Sequence, residues 1–382
     1  MATKKLRIPV ITFKDGLADA VKQRLLATDS PARALFQANE LEFVTLPLPT
    51  FPPSQGAQAA APGAEVDAEE AELVETKWEL TEEQQAVLEQ ATVVLGDAHN
   101  CAPLLLTPQS GLPKNMQHLL KNVQWVQGTY AGVERYLALR EADTPPPQFQ
   151  LTRAGGIKGL AQYMYVFGWI VTFERKFHEA HAMQKLKVFK PQSLRYRPFQ
   201  SVTVGILGLG AIGQAIGRLA KLAGFNVLGF KRKLRGDEDE AFESCAHRVS
   251  TDLEEVLRSA DYIVSILPST PATKYLLNET NLPLYSEKKP VFINVGRGDV
   301  IAEQTIVDAL DNQWFSKVVV DVFEKEPLPD DSQLWDHPKV FMTPHVAAYC
   351  FNEDIADVFV PNLDAYITNH PLQYLVDWTN GY

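Results

Sequence analysis

Cysteine is scarce in this chain of 382 residues, with only three, at Cys101, Cys245 and Cys350. They are far apart, odd in number and in no C-x-x-C pattern, which excludes a disulfide framework and a cysteine zinc site and predicts a reducing compartment. Positive charge is short as well. The 36 Lys and Arg stand against 47 Asp and Glu, a formal charge of −11, so the basic face that nucleic acid or an anionic membrane would require is not expected. No apolar run approaches the roughly 20 residues of a membrane span, the opening MATKKLRIPVITF is too short for a secretory signal, and the closing Asn380-Gly381-Tyr382 matches no address signal. The expectation is a soluble, cytoplasmic protein. Its hydrophobic content of 46% is nonetheless ample for packed cores, and the length suits two or three domains.

Large apolar residues also vanish from one internal stretch. From Pro47 to about Thr76, PLPTFPPSQGAQAAAPGAEVDAEEAELVET is rich in Pro, Ala, Gly and acid. Such a stretch buries too little surface to offset its ordering entropy, so it reads as a surface excursion. Strands are predicted around it at 7–13, 41–46, 92–95, 123–127 and 149–152. Helices are predicted at 17–26 and 81–90, the latter opened by the capping sequence T-E-E-Q. Alternating strand and helix imply a parallel sheet. From Gly159 a long helix is expected, with Leu160, Tyr163, Met164, Phe167, Ile170, Val171 and Phe177 on one apolar stripe.

The stretch that organises the chain is VTVGILGLGAIGQAIGRLAKLAGFNVLGFKRK, Val202 to Lys233. Apolar β-formers run into Gly208, Gly210 and Gly213, and helical spacing follows to Gly224. In such a strand–turn–helix the first glycine allows the bend, the second admits a pyrophosphate and the third lets helix pack on strand. A dinucleotide site is predicted. Beyond it, near-continuous apolar strands at 262–267, 291–295, 318–322 and 340–342 complete a doubly wound sheet of about six strands, with helices on both faces.

At the end of the second strand, where an NAD-binding chain usually carries an acid for the ribose hydroxyls, stand Lys231, Arg232 and Lys233. A basic group there suits a 2′-phosphate, so NADP(H) is expected in preference to NAD(H). Charged residues also follow three later strands: Arg297 in NVGRGDV, Asp321 and Glu326 in VVVDVFEKEPLP, and His345 in FMTPHVAA. Open α/β sheets place ligands at such strand ends. A guanidinium between glycines can grip a carboxylate or carbonyl, and His345 has acid/base partners at hand, Glu326 foremost. His178 and His181 lack further ligand-forming company. They read as solvated, and no metal is expected.

These residues resemble a known family. GLGAIG, LPSTPATKYL, NVGRGDVI, DVFEKEPLP and TPHVAA occur in the order and spacing of the D-isomer-specific 2-hydroxyacid dehydrogenases. EPLPDDSQLWDHPKVFMTPHVAA and the closing VDWTNGY resemble the glyoxylate/hydroxypyruvate reductase A branch. The resemblance implies that Arg297 orients a 2-oxo acid, that His345 is the proton donor in reduction, and that Glu326 pairs with it. It implies a dinucleotide held by Gly208, Gly210, Ala211, Ile212 and Gly213, by Leu267, Pro268 and Thr273, and by Val295, Gly296, Arg297, Asp321 and His345. It also implies that Ala131 and Gly132 hold the substrate carboxylate through backbone amides. Tyr130 departs from the family's usual glycine in that loop.

The fold implied is α/β, with two doubly wound domains. A Rossmann-type dinucleotide-binding domain, residues 151–347, is inserted into a flavodoxin-like substrate-binding domain, 1–150 and 348–382. A homodimer is implied, as is NADPH-dependent reduction of glyoxylate or hydroxypyruvate to the D-2-hydroxy acid. Three alternatives stay open at this point: reduction of larger 2-oxo acids, formate oxidation, against which Glu326 argues, and a dinucleotide-sensing corepressor.

Overall fold

The structure, a computed structural model, describes residues 5–48, 78–106, 119–140, 145–234 and 242–379. From residue 49 to residue 76 the excursion lies outside them. The chain divides into two units, Met1–Ile157 with Cys350–Tyr382, and Lys158–Tyr349.

The first unit carries strands β1 (Leu6–Ile11), β2 (Leu41–Thr45), β3 (Val93–Gly96), β4 (Trp125–Gly128) and β5 (Gln150–Thr152) in the order β2-β1-β3-β4-β5. All pairings are parallel. Its helices are α1 (Leu17–Leu26), α2 (Pro31–Gln37), α3 (Glu82–Gln90), α4 (Ala98–Leu106) and α5 (Glu134–Ala138), joined by α11 (Asn352–Ile367) from the chain's far end. Thr81 caps α3 as its sequence predicts, its hydroxyl accepting from the Gln84 N–H while the Gln84 side chain accepts from the Thr81 N–H. Return of the chain as α11 follows from burial: Ile355, Phe359 and Leu363 share one core with Leu17, Val21 and Leu25 of α1.

The second unit is a seven-stranded parallel sheet in the order β12-β11-β10-β9-β6-β7-β8. Its strands are β6 (Thr203–Leu207), β7 (Asn226–Phe230), β8 (Arg248–Ser250), β9 (Tyr262–Ser265), β10 (Val291–Asn294), β11 (Lys317–Val320) and β12 (Val340–Met342). Alternation along the inner strands fills a core on each face. Val291, Ile293 and Val319 pack on one side, and Phe292, Val318 and Val320 on the other, which is why these strands read as unbroken apolar runs. Among the described residues, helices α6 (Gly159–Glu174), α8 (Ala211–Leu222), α9 (Leu253–Ser259) and α10 (Glu303–Asp311) cover the faces. The sheet order reverses between β6 and β9, the crevice where such folds bind ligands.

Two expectations need correction. The sheet has a seventh strand, β8, because three residues reading RVS at an edge carry no apolar run to announce them. The long helix also breaks: Lys176 takes a left-handed φ of 54°, and α7 (Phe177–Lys185) starts anew. Its buried face is Gly159, Gln162, Tyr163, Val166, Ile170 and Glu174, whereas Leu160, Met164 and Phe177 of the expected stripe are exposed. The helix is apolar on both sides, so hydropathy could not decide which side packs. Gly159 decides it, since a Cβ there would lie 2.7 Å from the Cβ of Ala215 on α8.

Candidate active site

The glycine turn closes the end of β6. Gly208 has φ of 103°, a left-handed conformation that only glycine adopts freely. A Cβ at Gly213 would stand 1.9 Å from the Gly208 carbonyl oxygen, whereas one at Gly210 would meet nothing within 4 Å. The turn is thus tight where helix meets strand and open at the middle glycine. Helix α8 begins at Ala211 and its first intrahelical bond is donated by the Gln214 N–H to the Gly210 carbonyl, so the N–H groups of Ala211, Ile212 and Gly213 have no acceptor within the helix. An open cradle of backbone donors at a helix N-terminus fits a pyrophosphate.

The basic triplet sits beside this cradle. Gly208 N–H donates to the Phe230 carbonyl at 3.1 Å, and Lys231, Arg232 and Lys233 follow directly. The Lys231 ammonium lies over the Phe242 ring, 4.8 Å from its centroid, while Arg232 and Lys233 are exposed. After β9, the Thr273 hydroxyl donates to the Pro268 carbonyl at 2.6 Å and accepts from the Thr270 N–H at 2.9 Å. These bonds fix the Leu267–Pro268 bend at the end of the neighbouring strand.

Arg297 projects from the turn after β10 and is partly buried. The flanking glycines are sterically required: a Cβ at Gly298 would lie 1.8 Å from the Phe323 carbonyl oxygen, and one at Gly296 2.7 Å from that of Leu267. Buried Asn294, which the sequence reading passed over, braces the turn. Its amide donates to the Arg297 carbonyl at 2.9 Å and its side-chain oxygen accepts from the Gly296 N–H at 3.2 Å. A polar residue ending an otherwise apolar strand was the available signal.

After β11 and β12 the acid/base pair is formed. His345 Nδ1 lies 2.8 Å from Glu326 Oε2, with side-chain exposures of 15% and 7%. The second Glu326 oxygen accepts from the Phe323 N–H at 2.8 Å. A low-exposure carboxylate fixed at one oxygen and presented to Nδ1 orients the ring. Asp321, the other candidate partner, is engaged elsewhere. Its Oδ1 accepts from Val346 N–H and its Oδ2 from Ala347 N–H, both at 2.8 Å.

Arg297, Glu326, His345, Asp321 and the glycine turn therefore all belong to the second unit, at the carboxyl ends of β6, β10, β11 and β12. Ala131 and Gly132 belong to the first, in the bend after β4. Tyr130 is anchored there by its carbonyl, which accepts from the Ala154 N–H at 2.9 Å, and by the Lys14 ammonium 4.6 Å from its ring centroid. His178 is exposed, though its ring stacks on Phe341 at 5.2 Å. No cluster of His, Cys, Asp and Glu able to hold a metal occurs among the described residues.

Residues 167–347 match the family model described as D-isomer specific 2-hydroxyacid dehydrogenase, NAD binding domain. Glyoxylate/hydroxypyruvate reductase A of Serratia proteamaculans is 28% identical over 229 residues, 59% of this chain and 70% of that protein. The crystal structure of a D-isomer specific 2-hydroxyacid dehydrogenase family protein from Aeromonas salmonicida superposes with a TM-score of 0.69 at 26% identity, covering 98% of this chain and 99% of that one. At 23% identity, the NADPH-dependent glyoxylate/hydroxypyruvate reductase of Sinorhizobium meliloti, solved with NADP and sulfate, shares the fold with a TM-score of 0.68 over 99% of this chain and 100% of its own. Similarity that runs through the sheet carrying these side chains, in sequence and in fold, identifies residues 167–347 as an NAD binding domain of the D-isomer specific 2-hydroxyacid dehydrogenase family.

Proposed function

We propose that this protein is an NAD(P)H-dependent reductase of small 2-oxo acids, of the glyoxylate and hydroxypyruvate class, yielding the D-2-hydroxy acid. The observation that carries the reading is the Glu326–His345 pair at 2.8 Å, on the same sheet edge as a glycine-flanked arginine and a dinucleotide-type glycine turn. The α8 N-terminus would hold the pyrophosphate, and the Leu267–Pro268 bend, Thr273, Val295, Gly296 and Asp321 would hold the rest of the dinucleotide. When bound, the dinucleotide supplies the hydride.

Every other task falls to the chain. Arg297 orients the 2-oxo group and stabilises the negative charge that grows on its oxygen, and His345 delivers a proton from Nε2 to that oxygen. Glu326, bonded to Nδ1, keeps the imidazolium charged and aimed. Formate oxidation would leave this charged pair without a task, since no proton is exchanged with the substrate oxygen.

Steady-state NADPH oxidation against glyoxylate, hydroxypyruvate, pyruvate and phenylpyruvate tests the reading. Turnover at ordinary enzymatic rates, highest with glyoxylate and hydroxypyruvate, is expected. Absence of turnover with all four would return the corepressor alternative, and a preference for phenylpyruvate would move the substrate to the larger class.

NADPH is the preferred cofactor in this proposal, because Arg232 and Lys233 are exposed within one turn of the strand end whose carbonyl bonds the glycine turn. Lys231 is held over Phe242, which leaves Arg232 as the principal 2′-phosphate contact. Replacing Arg232 by Ala should lower kcat/KM for NADPH about tenfold and leave that for NADH within about twofold, the loss of one charge-assisted contact of ~1.5 kcal/mol. An unchanged ratio of the two values would remove Arg232 from cofactor choice.

A homodimer and a cytoplasmic location complete the proposal. Leu160, Met164, Phe177, Leu186 and Phe189 are all at least half exposed along α6, α7 and the segment after it, Phe189 at 93%, an apolar surface that suits a second copy. All three cysteines are buried and none is in a disulfide, which suits a reducing compartment.

A further inference from the structure

His345 occupies a backbone conformation that needs support. Its φ is 52°, in the left-handed region that few non-glycine residues adopt. Its own N–H donates to the Asp321 carbonyl at 2.8 Å, and the two N–H groups after it, those of Val346 and Ala347, donate to the Asp321 carboxylate. The loop that presents the imidazole is therefore wrapped around one buried aspartate, which is 2% exposed.

That aspartate is held in turn. Thr343 Oγ1 donates to Asp321 Oδ1 at 2.5 Å, and Tyr165 Oη lies 2.7 Å from the same threonine oxygen. The direction of the chain follows from proton counting. A threonine hydroxyl has one hydrogen, and an ionised carboxylate can only accept, so Thr343 spends its hydrogen on Asp321 and Tyr165 donates to Thr343. Burial pushes the Tyr165 phenol up and the nearby Asp321 charge raises it further, so the phenol keeps the proton this chain requires. The ring of Tyr165 is fixed on α6 by an edge contact with Trp169, centroids 6.4 Å apart.

Resting on the reading of His345 as proton donor, we infer that Thr343 and Tyr165 are positioning residues for it, a one-way hydroxyl chain from α6 that orients the Asp321 carboxylate and through it the His345 loop. Neither touches the reacting atoms. Each bond polarises the next, which stiffens the chain beyond the sum of its parts. Its consequence is that the donor's aim depends on α6, a helix otherwise concerned with packing.

Thr343→Val removes the hydroxyl and keeps the shape, Thr343→Ser restores the hydroxyl, and Tyr165→Phe breaks the chain one link earlier while keeping the ring. Misplacing a reacting group by a fraction of an ångström to 1 Å costs up to ~100-fold, so Thr343→Val should lower kcat about tenfold with KM for the 2-oxo acid within about twofold. Thr343→Ser should recover most of the loss, and Tyr165→Phe should show a smaller drop, about threefold. In a His345→Ala background Thr343→Val should cost nothing further, because residues acting through one group are not additive. An undiminished loss in that background, or no loss in wild type, overturns the proposal.

A second readout needs no turnover. The His345 imidazole, identified by NMR as the signal missing from His345→Ala, should titrate at lower pH in Thr343→Val than in wild type or Thr343→Ser. The titratable groups around the loop include Glu326 at Nδ1, Asp321 beneath it and Tyr165 on α6, and a loop released from Asp321 gives up part of its contact with the Glu326 charge. An unmoved midpoint refutes the positioning role whether or not the protein proves to be a reductase. A moved midpoint in a protein without reductase activity would support the positioning role while refuting the proposed function.

Discussion

Replacing His345 by Ala should lower kcat for 2-oxo acid reduction by at least ~100-fold, about 2.7 kcal/mol of transition-state stabilisation, the usual contribution of a general acid. KM for the 2-oxo acid should change far less, because the proton is needed only as charge builds on the substrate oxygen. The left-handed backbone at this position, φ 52°, raises a rival explanation, that alanine simply lets the loop collapse. His345→Asn answers it. Asparagine tolerates this conformation better than alanine yet cannot supply an acidic proton, so the two variants should fall together in kcat. Recovery of activity in the Asn variant would assign the loss to the loop and leave the imidazole without a chemical role.

Loss of Arg297 should be larger in kcat/KM and different in kind. Its guanidinium sits in a turn fixed by Asn294 and by two glycines that no side chain could replace without meeting the Phe323 and Leu267 backbone. A donor so placed binds the ground-state 2-oxo acid as well as the developing oxyanion. Arg297→Ala should therefore raise KM and lower kcat together. Removing one preorganised oxyanion donor costs ~10²–10³ in kcat, and lost ground-state binding adds to that in kcat/KM. Arg297→Lys should recover little, since a point charge cannot reproduce the forked geometry. A variant that lost only kcat, with KM unchanged, would show that Arg297 does not hold the bound substrate.

What could be read from the sequence was what is local. Strand, glycine turn and helix follow one another within about thirty residues, and Gly208 and Gly213 each have a conformational or steric reason to be glycine that backbone geometry fixes. Arg297, Glu326 and His345 were legible because parallel strands deliver their following residues to one edge of the sheet, whatever the rest of the chain does. Faces and pairings were less legible. Helix α6 is apolar all round, so Leu160 and Met164 looked as buried as Tyr163 and Val166 until packing against α8 chose between them. Edge strand β8 is too short and polar to announce itself.

Between Asp321 and Glu326, five residues apart on one loop, the sequence favours Glu326, the one that contacts His345 Nδ1, but does not say what the other acid does. The answer lies in backbone N–H groups of Val346 and Ala347, which have no signature in sequence. Tyr165 and Thr343 are 178 residues apart, and no local pattern joins them. The Lys231 ammonium lies over Phe242, a contact only the folded chain could reveal.

The most direct test of the account is the pH dependence of reduction by wild type and Glu326→Gln, measured with glyoxylate and saturating NADPH. Reduction requires His345 protonated. A carboxylate on Nδ1 favours that form and so holds activity to higher pH, and activity fades as pH rises through the histidine's titration. Glutamine keeps the shape and a hydrogen bond but removes the charge, so the alkaline limb should move to lower pH by roughly one to three units, the usual reach of an adjacent opposite charge. Oxidation of the D-hydroxy acid, which needs the neutral imidazole, should show its acidic limb moving the same way. A limb that stays in place in Glu326→Gln would contradict the account: the 2.8 Å pair would not be the acid that drives the reaction.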